Sequence, residues 1–352
     1  MPRMSGDMRG GLLGVGARVV SAIVIAALAG CGDAGASAAA TSSEPAYGWL
    51  SETGLYGDLA ERSVAAGVRA FEPGYPLWSD AADKARWVAL PEGASIDTTD
   101  MSHWVLPVGT RLWKEFSLEG RPLETRLIEH WGSGPTDYFM GAFVWLPDGS
   151  DARFSEQGEQ DLFGTAHDVP ARERCGACHN GEPGRALGFS ALQLDGAPLQ
   201  VGESPGLDLA GLADEGRLSA PPTRVHDAIS DDPDTSAALG YLHANCGHCH
   251  NPRGAAWPDT QMLLRIDTGA AGVDTTPIVS GLVDVPLQYY RAEDGGPTLR
   301  VVPGHPEQSG LVARMNVRGP REQMPPLATE RIDEQGVAAV SRWIEGLPEA
   351  TP

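Results

Sequence analysis

Residues 241–251 have the sequence Tyr-Leu-His-Ala-Asn-Cys-Gly-His-Cys-His-Asn, and the rest of the chain is organised around this stretch. Within it, Cys246 and Cys249 are three positions apart and His250 follows directly, which makes the pattern Cys-x-x-Cys-His. Three positions are close to one turn of a helix, so both sulfurs can face the same side. An earlier copy of the pattern lies at residues 175–179.

Cys-x-x-Cys-His is the attachment motif of a c-type haem. The two cysteine sulfurs can form thioethers with the two vinyl groups on one edge of a porphyrin, and the adjacent histidine can bind the iron. We therefore predict two covalently bound haems. The predicted residues are Cys175, Cys178 and the iron ligand His179 for the first haem, and Cys246, Cys249 and the iron ligand His250 for the second.

Two other chemistries also use paired cysteines. The four cysteines could form one tetrahedral zinc site, or each Cys-x-x-Cys pair could be redox-active by itself. The sequence contains only 9 histidines, so a chance histidine directly after both pairs is improbable. The two motifs therefore favour haem over both alternatives.

The N-terminus has the features of a lipoprotein precursor. Arginines precede an apolar run at residues 19–29, which is short for a membrane span, and residues 28–31 are Leu-Ala-Gly-Cys. This lipobox resembles those of bacterial lipoprotein precursors, and the resemblance implies removal of residues 1–30 and lipidation of Cys31. We predict an exported protein that a lipid anchors to a membrane on its periplasmic side. The outer membrane is favoured because Gly32 follows Cys31. An ordinary secretory signal with an incidental cysteine is the alternative.

The composition excludes some partners. The formal net charge is −21 at pH 7, which makes nucleic acid an unsuitable partner. An acidic surface would steer the protein towards basic redox partners, or would serve solubility alone. Residues 31–46 are rich in small residues and are predicted to form a flexible tether. All cysteines outside the lipobox belong to the haem motifs, so no structural disulfide is expected.

Residues 47–165 contain short apolar runs separated by Pro, Gly and Asp, which predicts a β-rich domain. The runs begin at Arg86, Ser102, Arg111, Leu123 and Tyr138. Alternating side chains and turn signals at intervals of roughly ten residues favour an antiparallel β-sandwich or jelly-roll-like fold. Most of the tryptophans lie here and are predicted to be core residues, although exposed ones could form a platform for a polysaccharide or a quinone.

Residues 166–236 form the predicted first haem segment. No methionine occurs between Met140 and Met262, so a distal methionine cannot come from the rest of the first haem segment. His167 is the first choice for the distal iron ligand. His226, His243, Met140 and an open coordination position are the alternatives.

Residues 237–352 form the predicted second haem domain. A helix is predicted to lead into the second motif, and an amphipathic helix is predicted near the C-terminus, after Gln323-Met324-Pro325-Pro326. This order resembles class I c-type cytochromes. The resemblance implies that Met324 is the second iron ligand opposite His250, with Met262 and Met315 as alternatives, and that the last helix packs across the first. A β insertion is predicted at about residues 255–320, with mainly α-helical cytochrome structure around it.

Several stretches together resemble a bacterial family of two-haem c-type cytochrome lipoproteins. These stretches are residues 75–91, 116–126, 170–189 and 241–250. The resemblance implies an α+β protein that transfers electrons between periplasmic or membrane-bound redox partners. A two-haem peroxidase or oxidase with an open distal site on the first haem is the alternative. A third hypothesis is a redox subunit whose β-rich domain binds a partner protein or a polysaccharide.

Overall fold

The computed structural model describes residues 43–197, 200–202, 204–222, 225, 229–269, 272, 276–288, 296–319, 322–327 and 329–348. The predicted signal peptide, Cys31 and the tether as far as residue 42 lie outside the described residues, as does His226. Helices and antiparallel sheets both occur, so the predicted α+β class is confirmed. Among the described residues, no helix is both long enough and apolar enough to cross a membrane.

The described residues contain one large sheet and two small hairpins. The strands are β1 (Tyr56–Asp58), β2 (Ser63–Val64), β3 (Arg69–Ala70), β4 (Asp83–Ala89), β5 (Arg111–Leu118), β6 (Arg121–His130), β7 (Tyr138–Trp145), β8 (Ala152–Ser155), β9 (Gln200–Val201) and β10 (Ser204–Pro205). Strands β3 to β8 pair in sequential order, and each neighbouring pair is antiparallel. The hairpins are β1 with β2 and β9 with β10.

A two-residue turn joins β5 to β6. Leu118 pairs with Arg121, so the loop consists of Glu119 and Gly120. Both residues have positive φ, 51° and 78°, as a type I′ hairpin turn requires, and Gly120 adopts this backbone without the steric cost of a Cβ. Short connections of this kind place each strand beside the preceding one.

The predicted β-sandwich or jelly-roll-like arrangement does not form. The large sheet is a single meander, and the described residues contain no second large sheet packed against it. The stretch 102–110 contributes only an isolated bridge between Val105 and Asp97. Helical and loop segments from later in the chain, including Phe189 and Leu239, pack against the sheet instead. They cover the face that a second sheet would have covered.

The two faces of the large sheet have different neighbours. On one face, Trp113, Leu127 and Phe143 pack with Leu55 from the N-terminal part of the chain. The opposite face carries Leu112 and a row of basic side chains, and it faces the residues around the first haem motif. The alternation along β5 thus places Trp113 and Glu115 on one face of the sheet, and Leu112, Lys114 and Phe116 on the other.

Most of the helices are short. They are α1 (Cys175–His179), α2 (Ala191–Leu194), α3 (Leu209–Asp214), α4 (Pro233–Asn245), α5 (Trp257–Thr260), α6 (Pro277–Leu282), α7 (Gly310–Met315) and α8 (Glu334–Gly346). Helix α4 starts at Pro233 because the Asp232 side chain accepts a hydrogen bond from Thr235 N, and proline suits the first helical position. Asp333 caps α8 in the same way through Gly336 N.

The predicted β insertion is wrong in its central part. Residues 277–282 form α6, which starts at Pro277, and residues 263–267 form no regular strand. In the described part of this region only isolated bridges occur, such as that between Val283 and Val301. A proline at the first helical position and the burial of Ile278 and Leu282 on one side of a short helix override the β-branched composition.

Helix α8 packs across α4, and the two helices can approach closely because α8 has a glycine, Gly336, at the contact. A Cβ on Gly336 would lie 2.3 Å from the ring of Tyr241 on α4. Val340, Trp343 and Ile344 of α8 are buried in the same core cluster as Leu239 and Leu242 of α4. The crossing fixes the helix that leads into Cys246.

Candidate functional site

The first haem motif lies against the basic face of the large sheet. A 3₁₀ turn at Arg172–Arg174 leads directly into α1, and the Arg172 Nε donates a hydrogen bond of 3.2 Å to the carbonyl oxygen of Met140 on β7. Cys175 and His179 line an open cavity, whose opposite wall is formed by β4 to β7. Its empty space, together with the solvent at its mouth, is about 610 Å³.

The hydrogen bond of His179 prepares the ring for a metal. Its Nδ1 lies 2.6 Å from the carbonyl oxygen of Arg185, which can only accept. The proton is therefore on Nδ1, and the lone pair of Nε2 is free to bind iron.

The second haem motif follows α4 directly and faces a different cavity. His250 is buried and lines an open cavity together with Met262, Met324 and Arg300. The Thr260 hydroxyl donates to the carbonyl oxygen of Ala256, so it accepts from His250 Nδ1 at 3.3 Å. His250 thus has the same tautomer as His179.

Both histidines are neutral at pH 7. Burial lowers the pKa of His179 to about 4, and the charge of Lys114 contributes. Burial also lowers the pKa of His250 to about 4, with contributions from the charges of His248 and Arg314. A neutral imidazole with a free Nε2 is the form that binds iron. The two cavities therefore fit a haem by the chemistry of their donor groups.

Met324 lines the cavity of His250 and is held there by its loop. Its backbone N donates to the carbonyl oxygen of Arg314 at 3.0 Å. The adjacent Gln323 side chain accepts from Gly319 N at 2.8 Å and donates to Pro325 O at 3.0 Å. Of the alternative methionines, Met262 also lines this cavity, whereas Met315 is buried in the hydrophobic core.

The two haem motifs are in direct contact. Cys249 and His248 lie close enough to the thiol of Cys178 to lower its pKa. Cys249 Sγ lies 3.7 Å from the carbonyl oxygen of Ala177, and a Cβ on Gly181 would lie 2.2 Å from the carbonyl oxygen of His248. The attachment residues of both motifs, 71 positions apart for Cys178 and Cys249, thus meet at one place.

The predicted distal ligands of the first haem occupy different places. His167 Nε2 lies 2.7 Å from Glu124 Oε1, and His167 does not line the cavity of His179. His243 lines a separate cavity and accepts a hydrogen bond from Ile266 N through its Nδ1. Met140 lines the cavity of His179.

Three basic residues that no sequence pattern indicated lie in the same cavity. Arg86, Lys114 and Arg126 are direct cross-strand partners on β4, β5 and β6, and all three line the cavity of His179. We call them the basic row. Burial, together with the charges of Arg86 and Arg126, lowers the pKa of Lys114 well below its ordinary value. Only strand register reveals the row, since its members are far apart in the sequence.

Glu124 neutralises one end of the basic row. Its carboxylate accepts two hydrogen bonds from Arg126, one of them at 3.0 Å from Nε, and it contacts His167. Burial alone would raise the pKa of Glu124, but the Arg126 charge and these hydrogen bonds hold it below its ordinary value. The stability that Glu124 contributes is therefore complete above its unfolded pKa of about 4.3 and is lost as the pH falls through its lower folded pKa.

Replacing Glu124 with glutamine should therefore destabilise the protein in a pH-dependent way. We expect Glu124→Gln to lower the free energy of unfolding by about 2 kcal/mol at pH 7, because a buried charged hydrogen-bond partner is lost. The difference from the wild type should shrink as the pH is lowered below about 4. Urea unfolding of both proteins across this pH range measures the difference in unfolding free energy. A difference that does not change with pH would contradict the role given to the Glu124 carboxylate.

The positions of the cysteines and tryptophans test two other predictions, a zinc site and an exposed aromatic platform. Among the described residues, the only group of three or more metal-binding side chains whose atoms lie within 4.8 Å of one another is Asp161, Asp168 and Glu330, which contains no cysteine. The cysteines therefore do not form the cluster that a Cys₄ zinc site needs. Trp104, Trp113 and Trp145 are buried, whereas Trp49 is exposed.

No protein-family model, no curated protein and no solved structure matches this chain.

Proposed function

We propose that this chain is an exported two-haem c-type cytochrome that transfers electrons between redox partners. The observation that carries the proposal is that each Cys-x-x-Cys-His motif directs a neutral histidine into its own cavity, with Nδ1 hydrogen-bonded and Nε2 free. When bound, haem supplies a reversible one-electron change at iron. The cysteines would hold the porphyrins, and His179 and His250 would bind the irons.

The contact between the motifs supports electron transfer within the chain. The thiols of Cys178 and Cys249 lie close enough to interact, and in the loaded protein each sulfur would belong to a different porphyrin. The attachment edges of the two cofactors would therefore be neighbours. A carrier needs this proximity and a rigid environment, which the buried helix crossing and the sheet provide.

Membrane attachment and partners follow from the sequence features. The proposal includes a lipid on Cys31, a periplasmic location and membership of the bacterial two-haem lipoprotein family. The acidic chain, with a formal charge of −21, is suited to redox partners that carry basic patches. Because most tryptophans of the sheet are wholly or partly buried, the β-rich part is assigned to covering the first cofactor rather than to binding polysaccharide.

The full chain, produced with a haem-attachment system, tests the proposal. We expect two haems per chain by pyridine haemochrome, two redox transitions in a potentiometric titration, and two low-spin signals in the EPR spectrum of the oxidised protein. One low-spin and one high-spin haem would favour the peroxidase or oxidase alternative. A chain that binds zinc or carries no haem would refute the proposal.

Met324 should be the distal ligand of the second haem. Met324→Ala is expected to leave two haems per chain and to lower one midpoint potential, because methionine raises the potential of a haem and axial ligands span a range of roughly 0.8 V. The same haem should become high-spin. Met262→Ala is the matched control, since Met262 lines the same cavity. If only Met262→Ala changes the potential and the spin state, Met262 is the ligand instead.

A further inference from the structure

We propose that Lys114 supplies the distal nitrogen ligand to the iron of the first haem, opposite His179. This inference rests on the proposed function, since it requires a haem on Cys175 and Cys178. It replaces His167, whose Nε2 is engaged by Glu124, with a residue of the central strand β5.

The three residues of the basic row show where each part of a porphyrin would lie in the cavity. Arg126, Lys114 and Arg86 lie on adjacent strands, which are about 4.8 Å apart in a sheet. Arg126 is near enough to Cys175 and Cys178 for the charges to interact, whereas Lys114 interacts with His179. The edge of the porphyrin that the cysteines hold would therefore lie next to Arg126. The iron, which His179 would bind, would lie next to Lys114.

Arg86 lies at the end of the basic row that is farthest from the attachment cysteines. It is only 4 % exposed, and among the described residues its guanidinium has no hydrogen bond or ion pair. The charge of Glu72 offsets part of the cost of burying this cation, and an anionic group in the cavity would offset more of it. Haem carries its two propionates on the edge opposite the vinyl groups. Arg86 therefore lies where a propionate would bind, which leaves Lys114 between the two edges.

Lys114 has the chemistry that this position requires. Within the described part of the chain its Nζ has no hydrogen bond or ion pair, and Lys114 lines the cavity with apolar neighbours such as Leu112 and Ile128. Iron binds the lone pair of the neutral amine, so a proton carried by Nζ is released to solvent as the bond forms.

Met140 is the competing ligand in this cavity. It lies on β7, one strand beyond Arg126, and its carbonyl oxygen accepts the hydrogen bond from Arg172 just before the attachment cysteines. Its backbone is thus at the attachment edge, away from the centre of the row. The position of Met140 favours packing against the porphyrin edge over binding to the iron.

Lys114→Leu in the full haem-loaded chain tests the inference, with Met140→Leu as the matched control. We expect two haems per chain in both variants, and a change of one haem from low-spin to high-spin in the EPR spectrum of Lys114→Leu only. Added imidazole should restore the low-spin signal. Lys114→Gln serves as a second variant if the leucine variant does not fold.

The outcomes separate this inference from the proposed function. Fewer than two haems per wild-type chain would refute the proposed function itself. Two haems per chain with unchanged low-spin signals in Lys114→Leu and Lys114→Gln would overturn only the role of Lys114. A high-spin first haem in the wild type, or a high-spin change in Met140→Leu alone, would overturn it as well.

Discussion

Replacing Cys175 and Cys178 together with alanine is expected to halve the covalently bound haem, from two groups per chain to one. Both thioether bonds of the first haem are lost, and His179 alone cannot retain it through denaturation. The second haem should keep its methionine ligand, because His250 and Met324 line a separate cavity. Pyridine haemochrome absorbance per chain, measured after denaturation, gives the ratio.

The reciprocal variant provides the control for this experiment. Cys246→Ala with Cys249→Ala should also leave one haem per chain, but without the spectrum of the methionine-ligated haem. Cys178→Ala alone should retain one thioether and shift the pyridine spectrum of that haem. If the double variant of the first motif still carried two haems, residues 175–179 would not be an attachment site.

Gly336→Ala is expected to lower the free energy of unfolding by about 3 kcal/mol, the upper part of the range for overpacking a core. A Cβ at this position would lie 2.3 Å from two ring atoms of Tyr241, and α8 would have to move away from α4. Helix α4 leads into Cys246, so this movement should also disturb the second haem. Urea unfolding followed by tryptophan fluorescence and by the haem absorbance measures both effects.

Gly346→Ala is the matched control in the same helix. A Cβ there meets no atom within 4 Å, and alanine has the higher helix propensity. We expect no loss of stability, and a gain of up to about 0.5 kcal/mol. Equal destabilisation by both variants would mean that the contact between Gly336 and Tyr241 is not what holds the helices together.

Local patterns predicted the four long strands of the large sheet, β4 to β7, but not β3 or β8, and the run at Ser102 forms only an isolated bridge. Alternation at Leu112, Trp113 and Lys114 predicted an antiparallel strand, and residues 111–118 form β5. The sandwich was wrong because strand patterns do not specify which strands become neighbours. The insertion was wrong because Pro277 starts a helix in a segment of β-branched composition.

The sequence by itself determined the elements whose information is local: two Cys-x-x-Cys-His motifs, the Met324 loop, and the helices before and after them. Only the tertiary structure decided that Cys178 meets Cys249 and that Arg86, Lys114 and Arg126 form one row beside His179. The physical reason is the distance along the chain over which each kind of interaction acts. A motif acts through bonds and turns over a few residues, whereas strand register and helix crossing depend on burying side chains that lie far apart in the chain.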